Sequence, residues 1–229
     1  MANNPINDAA VVDQDLGRTG RSRADFVYDT VRVWIQTRKI NVGERVREEA
    51  VAQALSVSRT PVREALSRLQ TRGLLQASAG GLVVVELTLQ QTMELYALRE
   101  VLEGAAARSA AQHASVSEIA AMHKLNAEFR EAIGDFEKLA AINKELHQAI
   151  YDAARNQYLY RVLDDLHDTQ MLLNGTTFSL PGRDAKVVGE HRRMIDAIDR
   201  RDADSAERFA REHIRRAQEA RFAMRSRSS

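Results

Sequence analysis

The stretch "SVSRTPVREALSRLQTRGLLQASAGGLVVVEL", Ser56 to Leu87, leaves the chain few ways to fold. Val62, Ala65, Leu66 and Leu69 recur at three- and four-residue steps, the apolar stripe of an amphipathic helix. Ser58 is suited to cap that helix, and Pro61 is tolerated in its first turn, where the amide has no intrahelical partner to lose. Gly73 is a stop signal. Two apolar runs, "LLQAS" and "LVVVEL", then flank Ala79-Gly80-Gly81, which predicts a two-stranded hairpin with glycine supplying positive φ. Upstream, Phe26, Val27, Val31, Trp34 and Ile35 predict a helix within residues 21–39, with a turn at Gly43 and a short helix from about Glu48 to Leu55. Helix, helix, turn, helix, hairpin is the order of a winged helix-turn-helix.

That order gives the polar residues of the third helix a job. With its stripe inward, Arg59, Arg63, Ser67 and Gln70 lie on other faces, and Arg59 and Thr60 occupy the first turn. Recognition helices present their amino ends to base edges, and the same end suits a phosphate. Between Ser56 and Gly81, four arginines (59, 63, 68 and 72) oppose Glu64, whereas the whole chain of 229 residues carries a formal net charge of only +1. The basic character is local. "VGERVREEAVAQALSVSRTPVREALSRLQTRGLL" followed by "GGLVVVE" resembles the DNA-binding domain of the GntR family of bacterial transcription regulators, with "VSRTPVREAL" the most specific part. The resemblance implies that Arg59 and Arg63 touch DNA, that Ser58 and Thr60 lie near phosphates or bases, and that Gly80 sits at a wing tip entering the minor groove. Pro61 stands where some relatives have threonine, so a hydroxyl contact is lost there.

Composition excludes several classes. The absence of cysteine rules out a disulfide framework, zinc ribbons and thiol catalysis. The longest aliphatic run, Leu82 to Val85, is far too short to span a bilayer, and "MANNPINDAAVVDQDLGRTG" lacks the basic start and apolar core of a secretory signal. A cytoplasmic protein is expected, with no membrane partner. The organisation expected is a mobile polar arm over residues 1–20, the winged helix-turn-helix over 21–87, and a second domain over 88–225.

From Thr88 onward only helical periodicity is found. Thr88 with Gln91, Ser115 with Glu118, and Asp204 with Glu207 match the capping-box pattern. With the breaks at Gly134, Asn156 and "NGTTFSLPGR", six helices are predicted, at about 88–112, 116–133, 135–154, 157–173, 184–200 and 202–224. The fold class is mainly α: a winged helix-turn-helix followed by an antiparallel helical bundle.

Three of these helices carry a histidine on the apolar stripe. His147 lies with Leu146 and Ile150, His191 with Val187, Met194 and Ile195, and His213 with Phe209 and Ala210. Asn143 precedes His147 by one turn on the same face. Imidazole is the commonest metal-binding side chain, and bundle interiors build metal sites from facing helices, but the same pattern serves hydrogen-bonded core histidines. His113, His123 and His167 fall at stripe edges or helix ends and read as surface or structural.

"YALREVLEGAAARSAA", "INKELHQAIYDAARNQYL" and "EHRRMIDAIDRRDADSAERFAREHI", in that order, resemble the FCD-type effector domain of the FadR subfamily. The resemblance implies a divalent ion, zinc or nickel, held by an aspartate and three histidines, with a small carboxylate effector beside it. His147, His191 and His213 match the histidines, while Asn143 stands at the aspartate position and removes one negative charge. Arg99 in "LREVLE" matches an arginine that pairs with the effector carboxylate; its other reading is a surface partner of Glu103, one turn on.

The expected function is that of a ligand-responsive regulator, a repressor in its commoner logic, whose homodimer reads a short inverted repeat in double-stranded DNA. The alternatives are the same regulator with a metal-free organic effector and a metal-dependent hydrolase. No carboxylate is evident on the inward faces to serve a hydrolase as general base, so no enzyme activity is expected.

Overall fold

The protein is described here from a computed structural model, over residues 22–173 and 175–228. The expected arm, residues 1–20, lies outside the described residues. The chain divides into two compact units, one running to Leu87 and taking in His167–Leu173, the other comprising Thr88–Leu166 and Asn174–Ser229.

The first unit contains α1 (Arg23–Gln36), β1 (Arg45–Val46), α2 (Glu48–Ala54), α3 (Arg59–Thr71), β2 (Leu75–Ser78) and β3 (Gly81–Val84). Ser22 and Asp25 close a reciprocal capping box at the start of α1. Val27, Val31 and Ile35 of α1 meet Val62, Ala65, Leu66 and Leu69 of α3 in one core, completed by Val51, Leu55, Leu74, Leu75 and Val84. The hairpin forms as predicted, with Leu75 opposite Val84 and Ser78 opposite Gly81. It belongs, however, to a three-stranded antiparallel sheet of order β1-β3-β2. The turn at Gly43 leads directly into β1, whose two residues are too few to show a period-two pattern.

The second unit contains α4 (Leu89–His113), α5 (Val116–Glu131), α6 (Phe136–Ala153), most of α7 (Gln157–Gln170, whose last turn belongs to the first unit), a single 3-10 turn at Thr177–Ser179, α8 (Arg183–Asp199) and α9 (Ala203–Ser228). The capping boxes of Thr88 with Gln91 and Ser115 with Glu118 are both formed. At α9 the cap is Asp202 instead of Asp204: its carboxylate accepts from the Ser205 amide at 3.1 Å. Both residues match the N-cap preference, and only the hydrogen bond distinguishes them. Helix α4 packs against α6, α8 and α9, and α5 against α6 and α8. Ala106, Ala107, Ala110 and Ala111 of α4 and Ala197, Ala206 and Ala210 of α8 and α9 are buried together, and their small side chains let the helix backbones approach. No helix among the described residues is long and apolar enough to cross a membrane.

Candidate functional site

The first candidate surface is the amino end of α3. Ser58, Arg59, Thr60 and Arg63 are all exposed. Ser58 occupies the N-cap position but makes no side-chain cap bond, so its hydroxyl is not committed to the helix. Arg59 and Arg63 bend towards the acidic start of α2: Arg59 Nη2 lies 2.7 Å from Glu49, and the Arg63 guanidinium donates two bonds to Glu48, at 3.3 and 3.1 Å. The Arg63 bridge holds the Glu48 carboxyl below its usual range. Both pairs are exposed, where an ion pair contributes little and exchanges readily.

Arg68 and Arg72, counted among the local basic residues, turn the other way. Arg68 bonds Asp25 at 2.6 Å and lies over the Tyr28 ring, and Arg72 bonds Asp168 at 3.0 Å. At the wing, positive φ belongs to Gly81 (121°) rather than Gly80. The Arg45 guanidinium packs directly over Gly80, and a Cβ there would oblige that side chain to move. Arg45, from β1, thereby joins the wing tip, a placement that sequence periodicity could not reveal.

The second candidate site lies inside the bundle. His147, His191 and His213 are all buried, and one ring nitrogen from each can be chosen so that the three lie within 4.8 Å of one another. Phe129 packs edge-on against His191, with ring centroids 5.2 Å apart, and Phe178 packs in turn on Phe129.

Two relays orient these rings. The Nδ1–H of His147 donates to Glu103 Oε2 at 2.6 Å, while Arg99 grips Glu103 Oε1 through Nε (3.0 Å) and Nη2 (2.6 Å). The Nδ1–H of His213 donates to Glu190 Oε2 at 2.8 Å, while Arg183 donates to Glu190 Oε1 at 2.6 Å. A carboxylate on Nδ1 selects the tautomer with its lone pair on Nε2, facing the other rings. Burial opposes the charged form of each glutamate, yet Arg99 and His147 hold Glu103 well below the carboxylate range, and His213 and Arg183 hold Glu190 at about 2. Burial, together with the neighbouring His213 and His147, drives His191 well below the ordinary histidine value, so it is neutral.

The donor set suits a divalent ion. His147 Nε2, both nitrogens of His191 and the Asn143 Oδ1 are buried without a hydrogen-bond partner. A neutral His191 carries a proton on one of its nitrogens, so these are three lone-pair atoms and one N–H left unsatisfied in one interior, which is costly unless something accepts their electrons. Asn143 is half-buried as a residue, but its carbonyl oxygen is fully enclosed.

Two sequence expectations need correction. Arg99 is neither a surface residue nor a free cation: it is buried, and its partner Glu103 is buried with it. The inward faces do carry carboxylates, Glu103 and Glu190, both below 5% exposed. Each is engaged on both oxygens by an arginine and a histidine, which leaves neither free as a general base. The available signals were the i,i+4 spacing of Arg99 and Glu103 and the seven-residue spacing of Arg183 and Glu190, each placing arginine and glutamate on one helix face. His113 and His123 lie outside the cluster, His113 bonded to the Ser109 carbonyl and His123 3.8 Å from Asp199.

Comparison with known proteins decides the family. Residues 23–85 match the model of the bacterial regulatory proteins of the gntR family, and residues 94–216 match the FCD domain. The chain belongs to the GntR family of transcription regulators. It is 31% identical over 195 residues to a protein of Paenarthrobacter nicotinovorans named "Probable D-xylose utilization operon transcriptional repressor", covering 83% of this chain and 85% of that one. It is 25% identical over 181 residues to the HTH-type transcriptional repressor RspR of Escherichia coli K12, covering 78% and 79%. Among solved structures, E. coli McbR/YncC shares the fold with a TM-score of 0.78 at 19% identity, covering 89% of this chain and 99% of that one. A GntR regulator from Rhodococcus sp. RHA1 does so at 0.72 and 21%, with the same coverage. This GntR chain is thus a transcription regulator and not an enzyme, and the histidine cluster lies within its FCD domain.

Proposed function

We propose that this regulator is a cytoplasmic homodimer, a repressor, whose affinity for a short inverted-repeat operator is set by a small carboxylate effector bound beside a divalent ion in the FCD domain. The observations that carry the reading are the convergence of ring nitrogens from His147, His191 and His213 within 4.8 Å, the unpartnered nitrogens of His147 and His191, and the enclosed, unpartnered Asn143 oxygen one turn from His147, with His147 and His213 oriented by glutamates. Those four residues would hold zinc or nickel, and the ion when bound supplies a Lewis-acid dock for a carboxylate. Asparagine in place of aspartate makes the set neutral and favours an exchangeable metal, and it gives support to a second reading in which an organic effector meets the histidines directly. Arg99 has N–H donors beyond the two on Glu103, and these are assigned to the effector carboxylate.

At the DNA, Ser58, Arg59, Thr60 and Arg63 form the reading end of α3, and Gly80 forms the wing tip with Arg45. A palindromic operator read by one winged helix per half-site requires two-fold symmetry. The exposed apolar residues Leu89, Met93, Leu98 and Val101 of α4 are consistent with a self-association surface on that helix. The experiment that tests the reading is a thermal-shift screen of small carboxylates with and without zinc or nickel, followed by operator titration. Binding to the folded state raises the melting temperature by mass action. A carboxylate shift that requires metal and weakens operator binding is the expected result; no shift under any condition overturns the effector site, and a shift indifferent to chelator selects the metal-free reading.

A further inference from the structure

A cleft on the bundle has Glu190, the carboxylate of the His213 relay, in its wall. It is an open cleft of about 750 Å³, lined by Leu180, Pro181 and one face of α8 on one side and by residues of α9 from Arg216 to Ala223 on the other. Five cations line it, Arg183, Lys186, Arg192, Arg193 and Arg216, against the carboxylates Glu190 and Glu219. Lys186, Arg192 and Arg193 are exposed. Arg193 lies over the Phe209 ring, and Arg216 stands 3.5 Å from Glu190 and 3.7 Å from Glu212.

Two further features point to a ligand. Arg183 is 93% buried by its 7% exposure, and although its Nη1 holds Glu190, its Nε is enclosed and has no partner. A buried guanidinium N–H without a partner, on a side chain that lines a cleft, is a costly arrangement for the protein alone. Gly189, in the middle of α8, also lines the cleft, and a Cβ built there meets nothing within 4 Å. Glycine in the middle of a helix is destabilising relative to alanine. No crowding by neighbouring atoms explains it here; its effect is to keep the cleft wall low.

The geometry points to a binding site in this cleft for a small anion bearing two or more negative charges, a phosphate or a multicarboxylate, with Arg183 as the buried anchor and Lys186, Arg192 and Arg216 as the rim. Guanidinium forks match the planar or tetrahedral oxygens of either group. The volume is that of a small-molecule site, and Pro181, Ala220 and Ala223 offer an apolar floor for a short carbon body. Because Arg183 and Arg216 also face Glu190, an anion on them competes with the carboxylate that orients His213, so the cleft and the histidine cluster share one relay. The site does not depend on a metal at the histidines.

Isothermal titration of the full chain with inorganic phosphate, pyrophosphate and citrate, each in chelator, tests the site. Saturable binding by at least one probe is expected, and which probe binds separates phosphate from carboxylate chemistry. Gly189→Glu, which fills the cleft without displacing an atom at Cβ, and Lys186→Gln, an exposed change that cannot unfold the bundle, are each expected to weaken that binding, the former more than tenfold. Binding unchanged in both variants, or no saturable binding by any probe, overturns the inference. A metal-dependent carboxylate response that survives Gly189→Glu belongs to the histidine cluster, so failure of one site is distinguishable from failure of the other.

Discussion

The winged helix and the bundle use the same pair of charged groups, arginine and carboxylate, in opposite ways. At the amino end of α3, Arg59 and Arg63 meet Glu48 and Glu49 in water. In the bundle, Arg99 and Arg183 meet Glu103 and Glu190 out of it. Solvent screening makes the first set weak and replaceable, so a phosphate or base edge can take the arginines at small cost. Burial makes the second set costly to break without a replacement charge, because removing one partner strands the other in a poorly solvating interior. The surface pairs therefore hold contact residues in reserve, whereas the buried pairs fix which nitrogen of each histidine carries a lone pair.

The most severe break of this contrast is Glu103→Ala. It leaves Arg99 buried without its carboxylate and frees the His147 ring, and a loss of about 3 to 5 kcal/mol in unfolding free energy is expected. The corresponding surface change, Glu48→Ala, should leave the melting temperature almost unmoved. Comparable destabilisation of the two variants in urea melts would erase the distinction drawn here.

Acid should act on the bundle first. His191 resists protonation in the folded chain while an unfolded chain takes up the proton near pH 6.5, so stability in chelator should fall as the pH drops below about 6.5. Glu190 adds a second loss. Its folded pKa is about 2 against an ordinary value of 4.5, so its contribution is complete above about 4.5 and disappears as the pH approaches 2. Melting temperatures measured from pH 7.5 to 3.5 should decline in that order; a profile flat between 7 and 5 contradicts a neutral, buried His191.

On the DNA side, Arg59→Ala or Arg63→Ala is expected to weaken operator binding roughly ten- to a hundredfold if the arginine reads a base, or to lower the salt slope by about one unit if it holds a phosphate. Fluorescence anisotropy at several salt concentrations separates the two. Wild-type affinity and slope in both folded variants would remove these residues from the interface.

The smallest effect, and the most informative sign, belongs to Asn143→Asp. Next to a divalent ion the added charge should tighten metal binding and raise the melting temperature of the loaded protein. In chelator the same carboxylate would be enclosed without a partner and should lower it. Equal destabilisation in chelator and in excess zinc or nickel would show that no metal sits beside this position.

Much of the chain could be read without coordinates. Val62, Ala65, Leu66 and Leu69 specify a helix and its inward face, and Thr88 and Ser115 specify where two others start, because capping and periodicity act over a few residues. The same periodicity turned His147, His191 and His213 inward on their separate helices. It could not say what each inward face would meet. Glu103 reaches His147 across 44 positions of sequence and Glu190 reaches His213 across 23, so the relays exist only once α4, α6, α8 and α9 have packed. Arg68 and Arg72, which the sequence could only count in the local positive charge, are engaged within the fold for the same reason: their partners, Asp25 and Asp168, come from other helices. Local pattern decides which side of a helix avoids water; the charges waiting on the facing helix decide whether an arginine or glutamate found there is a solvated surface group or a buried, oriented one.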